Sequence, residues 1–438
     1  MKGIITSICI AGTLLAFNSP SEYEKYWPQW RGPAANGVAR HANPPLEWSE
    51  TKNIHWKIEI PGKGLSSPIV WGDHLFVTTA IPIEQDAAPA APESEGGRRR
   101  GISPTGKNKF VLMAINRRDG KTVWQRTATE QVPHEGTHLD GSWASNSPIT
   151  DGEHIIAFFG SRGLFCYDMQ GKLIWQKDLG DMATRNSFGE GSSPALHGNT
   201  LVVNWDHEQQ SFIVALDKRT GKELWRVDRD EPSSWSTPLV VTHEGKPQVI
   251  VNATNRVRSY DLANGKLLWE CSGMTLNVIP SPVVDDGIVY VTSGFRGSAL
   301  LAIKLAGATG DLNNTASVVW KYEQDTPYVP SPLLYDNKLY VLKVNSGILT
   351  CFNAKTGEPF YSRQRLEEVP NIYASPVGAV GRVYLTSRDG MTLVIKNAES
   401  FEVLASNKLD DDVDASLAIV DNEIFLRGRK FLYCIAEK

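Results

Sequence analysis

Three stretches carry residue types able to do chemistry. PHEGTHLDGSWASNSP supplies His134, His138, Asp140, Trp143 and Asn146, and TRNSFGEGSSP supplies Arg185, Asn186 and Glu190. VNWDHEQQ sets Asp206 beside His207 and Glu208. A histidine flanked by carboxylates has the make-up of a general base or a metal ligand. Against that, VNWDHEQQ falls between two apolar runs, and a charged hairpin tip is the simpler reading. His134-x3-His138 has metal-ligand types, but on a loop that spacing fixes no geometry, so no metal is expected. The acidic run LDDDVD, with Asp410, Asp411, Asp412 and Asp414, lacks the glycine and spacing of a calcium loop and reads as a solvated turn. There is no Gly-Lys-Ser/Thr phosphate loop, no Gly-x-Ser-x-Gly elbow and no HExxH helix. Any site must therefore be assembled from separate parts of the chain.

The elements that would assemble it come from a repeat. Ser-Pro or Thr-Pro pairs recur with prolines at 68, 148, 194, 238, 282, 332 and 376, and Ala415-Ser416-Leu417 forms an eighth opening without proline. Each is followed by apolar β-branched runs such as GIVYVTSG and FIVALD, then a glycine turn and a last strand that ends in an aromatic. Four short antiparallel strands per ~45 residues is the period of a propeller blade. The aromatics are Trp124, Trp175, Trp225, Trp269, Trp320 and Tyr361; Ala405 breaks the series. The eighth copy stops before its last strand, while NIHWKIEIP near the start places Trp56 twelve residues before Pro68, the spacing seen elsewhere. The expected fold is all-β: an eight-bladed propeller of four-stranded antiparallel blades over 54–438, closed by an N-terminal strand in the last blade. Closure removes exposed sheet edges.

Outside the repeat, a lysine followed by a short apolar run reads residues 1–20 as a signal peptide, and 21–53 as an N-terminal arm. Residues 82–108, rich in Pro, Ala, Glu, Gly and Arg, read as a disordered insertion in blade one. GATGDLNNTASV lengthens the last hairpin of blade five. The 45 basic and 49 acidic residues leave a net charge of −4, with no footprint for nucleic acid. No later segment could cross a bilayer, and no cysteine stands where a lipid anchor needs one. The mature chain is expected to be exported, soluble, periplasmic or extracellular, monomeric and not a lipoprotein. Cys166, Cys351 and Cys434 share one repeat position with Ala114, Ala215, Ser259 and Ala302. Sheets ~10 Å apart keep such cysteines beyond the ~7 Å reach of a disulfide.

Ala215-x-Asp217-x-x-Thr220-Gly221-Lys222-x-x-Trp225 resembles the repeat of the pyrroloquinoline-quinone-like propeller superfamily, as does the copy at Ser259, Asp261, Gly265, Lys266 and Trp269. WPQWRGPAANG resembles the lead-in of secreted bacterial propellers of that type. The resemblance implies the fold and a tryptophan docked on the neighbouring blade; fold alone does not fix function. Its enzymes oxidise alcohols or sugars with the quinone and Ca²⁺. The chain lacks their adjacent cysteine pair and any Cys-x-x-Cys-His haem motif, and no calcium-binding set aligns. Members of the BamB type, non-enzymatic scaffolds, are nearest in size. The expectation is a binding or scaffold protein of the bacterial envelope with no cofactor. Its partner would be an envelope protein, or a small ligand or glycan, at the funnel formed by the loops before each Ser-Pro. The alternative is a quinone- and Ca²⁺-dependent dehydrogenase, or another carbohydrate-active enzyme, on the loops before blades two to four. The ligand-binding candidates are the residues named above, namely His134, His138, Asp140, Trp143, Asn146, Arg185, Asn186, Glu190, Asp206 and His207, with Trp235, Asn277, Tyr328 and Tyr373 added from later copies.

Overall fold

A computed structural model describes residues 21–83, 101–104 and 106–437. Eight antiparallel sheets follow one another around a central channel, as the spacing of the Ser-Pro pairs requires. Blade three shows the plan: Ala195–His197 lines the channel, and Thr200–Trp205, Ser211–Asp217 and Glu223–Arg229 step outward. Blade eight is completed by Ile54–Glu59, which pairs with Phe431–Ala436 and sets Trp56 opposite Cys434. The other blades repeat that register. Ala215 lies opposite Trp225, Cys166 opposite Trp175 and Cys351 opposite Tyr361. A small residue is needed there because an indole or phenol ring covers it. The four cysteines among the described residues, Cys271 included, are free and buried.

The core lies between blades. One cluster joins Ile156 and Phe158 of blade two to Val203 and Val214 of blade three; another joins Val202 and Ile213 to Val249 and Tyr260 of blade four. The inner strands of each sheet are therefore apolar on both faces and read as continuous apolar runs rather than strict alternation.

Two hydrogen-bonded systems bind the blades into a ring. At the outer rim every docked indole but Trp269 donates to a carbonyl in the glycine turn of the next blade: Trp56 to Arg117 O at 2.8 Å, Trp175 to Lys218 O at 2.7 Å, Trp225 to Leu262 O at 2.8 Å. The ring lies on the turn glycine. Gly221 has φ +69°, and a Cβ there would come within 2.7 Å of Trp175. At the channel, the residue before each proline donates its backbone N–H to the hydroxyl of its counterpart in the next blade. The chain of bonds runs Ser67 to Ser147 to Ser193 to Thr237 at 2.9–3.0 Å. It continues through Ser281, Ser331 and Ser375 to Ser416, whose N–H returns to the Ser67 hydroxyl at 3.0 Å. The ring of eight bonds is closed.

The structure corrects three sequence expectations. The aromatic stands near the start of the last strand, not its end: Trp225 is the third residue of Glu223–Arg229. The apolar pattern stops there, but the polar residues beyond it remain paired. In blade five the insertion does more than lengthen a hairpin, because Gly310–Asp311 adds a parallel strand to Leu267–Cys271 of blade four. It displaces the usual glycine turn, so Trp269 bonds Gln248 Oε1 of its own blade at 3.1 Å. Parts of the 82–108 insertion are ordered. Pro82 ends the strand His74–Pro82, Gly101–Ile102 pairs with Thr137–His138, and Asn108 opens the next strand. Residues 84–100, like the leader at 1–20, lie outside the described residues. The N-terminal arm, for its part, is built into the ring. Trp27 pairs with Val70, Pro28 O accepts from Thr150 N, and Val38–Ala39 pairs in parallel with the channel strand of blade seven. Between these points the arm crosses the far end of the channel from blades one and two to blades six and seven.

Candidate functional site

The channel strands start at one face, called the mouth, and run down to the arm. The space between them is a well of about 290 Å³. Trp30 of the arm forms its floor, and six of the ring residues, Ser67, Ser147, Ser193, Thr237, Ser375 and Ser416, form its wall. Phe188, Trp235, Tyr328 and Tyr373 surround the opening. The rings are fixed: Trp235 donates to Gly189 O at 2.7 Å, Tyr373 to Asp140 at 3.2 Å, and Tyr328 stacks on Phe295 at 4.9 Å. Of the sequence candidates, His138, Asp140, Glu190, Trp235, Tyr328 and Tyr373 line this well.

The others lie elsewhere. Asn146 is buried and bonds Ser192 O, and Trp143 bonds Glu135 O. Arg185 meets the Asn277 amide at 3.4 Å, and Asn186 is exposed beside it. His207 accepts from Ala183 N through Nδ1 and donates through Nε2 to Gln210 O, so both nitrogens are committed to holding a turn. Asp206 is buried and takes Arg229 at 2.8 Å and Ser234 at 2.6 Å. This network continues to Glu231, whose carboxyl burial pushes up to about 7 although Arg229 opposes the shift.

His134, Glu135 and Glu190 come close enough to share an ion. The cation between them is already present. Arg162 reaches Glu190 at 3.2 Å and His134 Nδ1 at 3.4 Å, while the Ser161 hydroxyl bonds Glu190 at 2.5 Å. Burial raises the Glu135 carboxyl, opposing its bonds from Thr184. A charged pair this deep must be matched or it destabilises the fold.

At the mouth, charges from distant blades meet. Arg388 reaches Asp140 at 2.7 Å and Asp414 at 2.6 Å, and its guanidinium lies 4.1 Å from the Tyr373 ring. Arg429 reaches Asp414 at 2.8 Å. Burial works against ionisation of Asp140, but its bond to Arg388 and that residue's charge outweigh it and hold the carboxyl below its usual range. Burial and Asp140 push the Tyr373 phenol up to about 12. Asp411 caps Lys430 N and Phe431 N and Asp414 pairs with arginines, while Asp410 and Asp412 are exposed.

Arg388 and Arg429 were missed from sequence because only the loops before each Ser-Pro were read along the whole chain. Both lie at the tip between a blade's second and third strands, the place Asp206 and His207 hold in blade three. Reading that tip in every copy would have found them. A bound Ca²⁺ needs carboxylate oxygens free to coordinate it. Every carboxylate lining the well (Asp140, Glu190 and Asp414) is paired to an arginine. The donor set does not fit that ion.

The closed ring and its docked indoles define a pyrroloquinoline-quinone-like β-propeller. The family model described as outer membrane protein assembly factor BamB matches residues 46–209, 165–312 and 209–427, and the chain belongs to that family. It is 24% identical to the outer membrane protein assembly factor BamB of Yersinia pestis over 234 residues, 49% of this chain. That match spans about half of the relative, 52% of its length. The crystal structure of BamB from Moraxella catarrhalis superposes with a TM-score of 0.59 at 13% identity, covering 88% of this chain and 97% of that one. A quinohemoprotein alcohol dehydrogenase from Pseudomonas putida HK5 superposes at 0.55 with 10% identity, covering 95% and 80%. At these identities the likeness to solved structures concerns the fold. Among the described residues no helix is long and apolar enough to cross a membrane.

Proposed function

We propose that the protein is a non-catalytic, exported scaffold that binds proteins on the periplasmic side of the outer membrane during assembly of outer membrane proteins. The observation that carries this reading is the family match from residue 46 to residue 427. The site chemistry agrees with it. At the mouth the carboxylates and arginines neutralise one another, and His207 is fixed by its turn. Exposed Leu139, Leu276 and Val344 stand on mouth loops of different blades. Scattered apolar side chains within a polar rim suit a protein partner.

The test is photocrosslinking in cells from positions 139 and 276, read by identifying the adduct, together with the folded porin content of a deletion strain. An adduct with the outer membrane insertion machinery and a fall in folded porins are expected. Unchanged porins with no such adduct would overturn the proposal. Dye-linked alcohol or sugar oxidation by the purified protein, restored by quinone and Ca²⁺, would replace it with the dehydrogenase.

A further inference from the structure

We propose that the well is a binding site for a neutral saccharide, and that the N-terminal arm completes it. The family match begins at residue 46, so Trp30, which forms the floor, belongs to a segment outside the shared propeller. The wall is rich in unspent donors. Each ring hydroxyl accepts one backbone N–H, as Ser147 does from Ser67 and Ser193 from Ser147. Among the described residues, none of the six hydroxyls lining the well has a protein acceptor for its own proton. The Trp30 indole N–H has none either. A ligand that fills the well must therefore bring several acceptor oxygens.

Two further features narrow its class. The opening is aromatic, with Trp235, Tyr328 and Tyr373 held in place by their own bonds and stacking, so the ligand needs an apolar face to lie on them. The titratable acid and imidazole groups that line the well are three carboxylates (Asp140, Glu190 and Asp414) and His138, and no lysine or arginine lines it. Their arginine partners are Arg388, Arg162 and Arg429. These pairs are already neutralised, so the lining offers a polycarboxylate or phosphate no unpaired cation, whereas sugar hydroxyls can donate to the carboxylate oxygens and accept from the serines. A pyranose, with one C–H face and a rim of hydroxyls, meets all three demands. A volume of about 290 Å³ fits one or two sugar units at the small end of ligand pockets. The pre-set wall and rings lower the ordering cost of binding.

Calorimetric titration of the whole chain tests this, with glucose, N-acetylglucosamine, cellobiose and chitobiose as probes and glucuronate as the anionic counterpart. Saturable binding of a neutral sugar at one site per chain is expected, with quenched tryptophan fluorescence and weaker binding of glucuronate. Tighter binding of a disaccharide than of its monomer identifies the end of a glycan chain; equal binding identifies a free sugar. Trp30→Ala and Tyr328→Ala should each weaken binding by about tenfold or more. Trp30→Phe, which keeps a flat floor, should retain most of it, and unfolding midpoints separate lost binding from lost folding. No binding by any neutral probe, a preference for glucuronate, or affinity unchanged in both alanine variants would overturn the proposal. None of these outcomes bears on the scaffold reading.

Discussion

At the outer rim the docked indoles join a blade to its immediate neighbour, while at the mouth a contact reaches across several blades. Trp175 rests on Gly221 one blade on, and Trp225 on Gly265 one blade further. Arg388 of blade seven instead grips Asp140, which precedes blade two, and Asp414, which precedes blade eight. The rim holds the ring together with one device copied around it. The mouth is built from single-copy residues, and there the molecule can differ from its relatives without altering the ring.

The comparison predicts a graded response to substitution. The largest effect belongs to Trp225→Ala. It removes a buried indole and its bond to Leu262 O, and should cost about 3–5 kcal/mol in denaturant unfolding. Gly221→Ala comes next. Its left-handed backbone alone costs about 1–2 kcal/mol, and the clash with Trp175 adds about 1–3 kcal/mol. Gly198, at φ +56° with nothing within 4 Å of its Cβ position, is the control and should show the backbone cost alone. Equal losses at the two glycines would show that the indole contact contributes nothing.

A single break in the inner ring should be milder. Ser193→Ala leaves the buried N–H of Ser147 without its acceptor, a loss of about 1–3 kcal/mol. Ser193→Thr keeps the hydroxyl, as Thr237 does naturally, and should recover most of it. If Ser193→Ala were neutral, the closed ring would be a consequence of the fold rather than a support for it.

The same contrast governs what the sequence made legible. The blades could be read because each copy repeats Ala215, Gly221 and Trp225 or their counterparts, so errors in one copy are corrected by the next. Even the closing strand was visible, since Trp56 keeps the spacing of its siblings to the next proline. The mouth has no such redundancy. Asp140 and Arg388 are 248 positions apart and meet only once the ring has closed. Trp30 belongs to an arm whose route under the channel depends on Val70, Thr150 and Gly378 in three blades. His207 is the opposite case: its residue type allows chemistry, its place between two apolar runs favours a hairpin tip, and its two hydrogen bonds hold that turn.

The smallest effect on stability, and the one most specific to the mouth, concerns Arg388→Met. Its pair with Asp140 is partly exposed and contributes about 0.2–1 kcal/mol at neutral pH, while the buried Asp414 keeps Arg429 as a partner when Arg388 is removed. The methionine stem can still cover Tyr373, so packing is largely kept. The pH dependence then separates charge from packing. Arg388 holds the Asp140 carboxyl below its unfolded value, so the stabilisation is fully present above about pH 4 and is lost as pH falls through the lowered folded value. Wild type and variant should therefore differ at pH 7 and converge in unfolding experiments as pH falls through the lowered folded value. Rim variants such as Gly221→Ala should keep a constant offset over the same range, because no charge is involved. A gap at Arg388 that stayed constant into acid would mean that the arginine acts through packing against Tyr373, and that the mouth is held by the same kind of force as the rim.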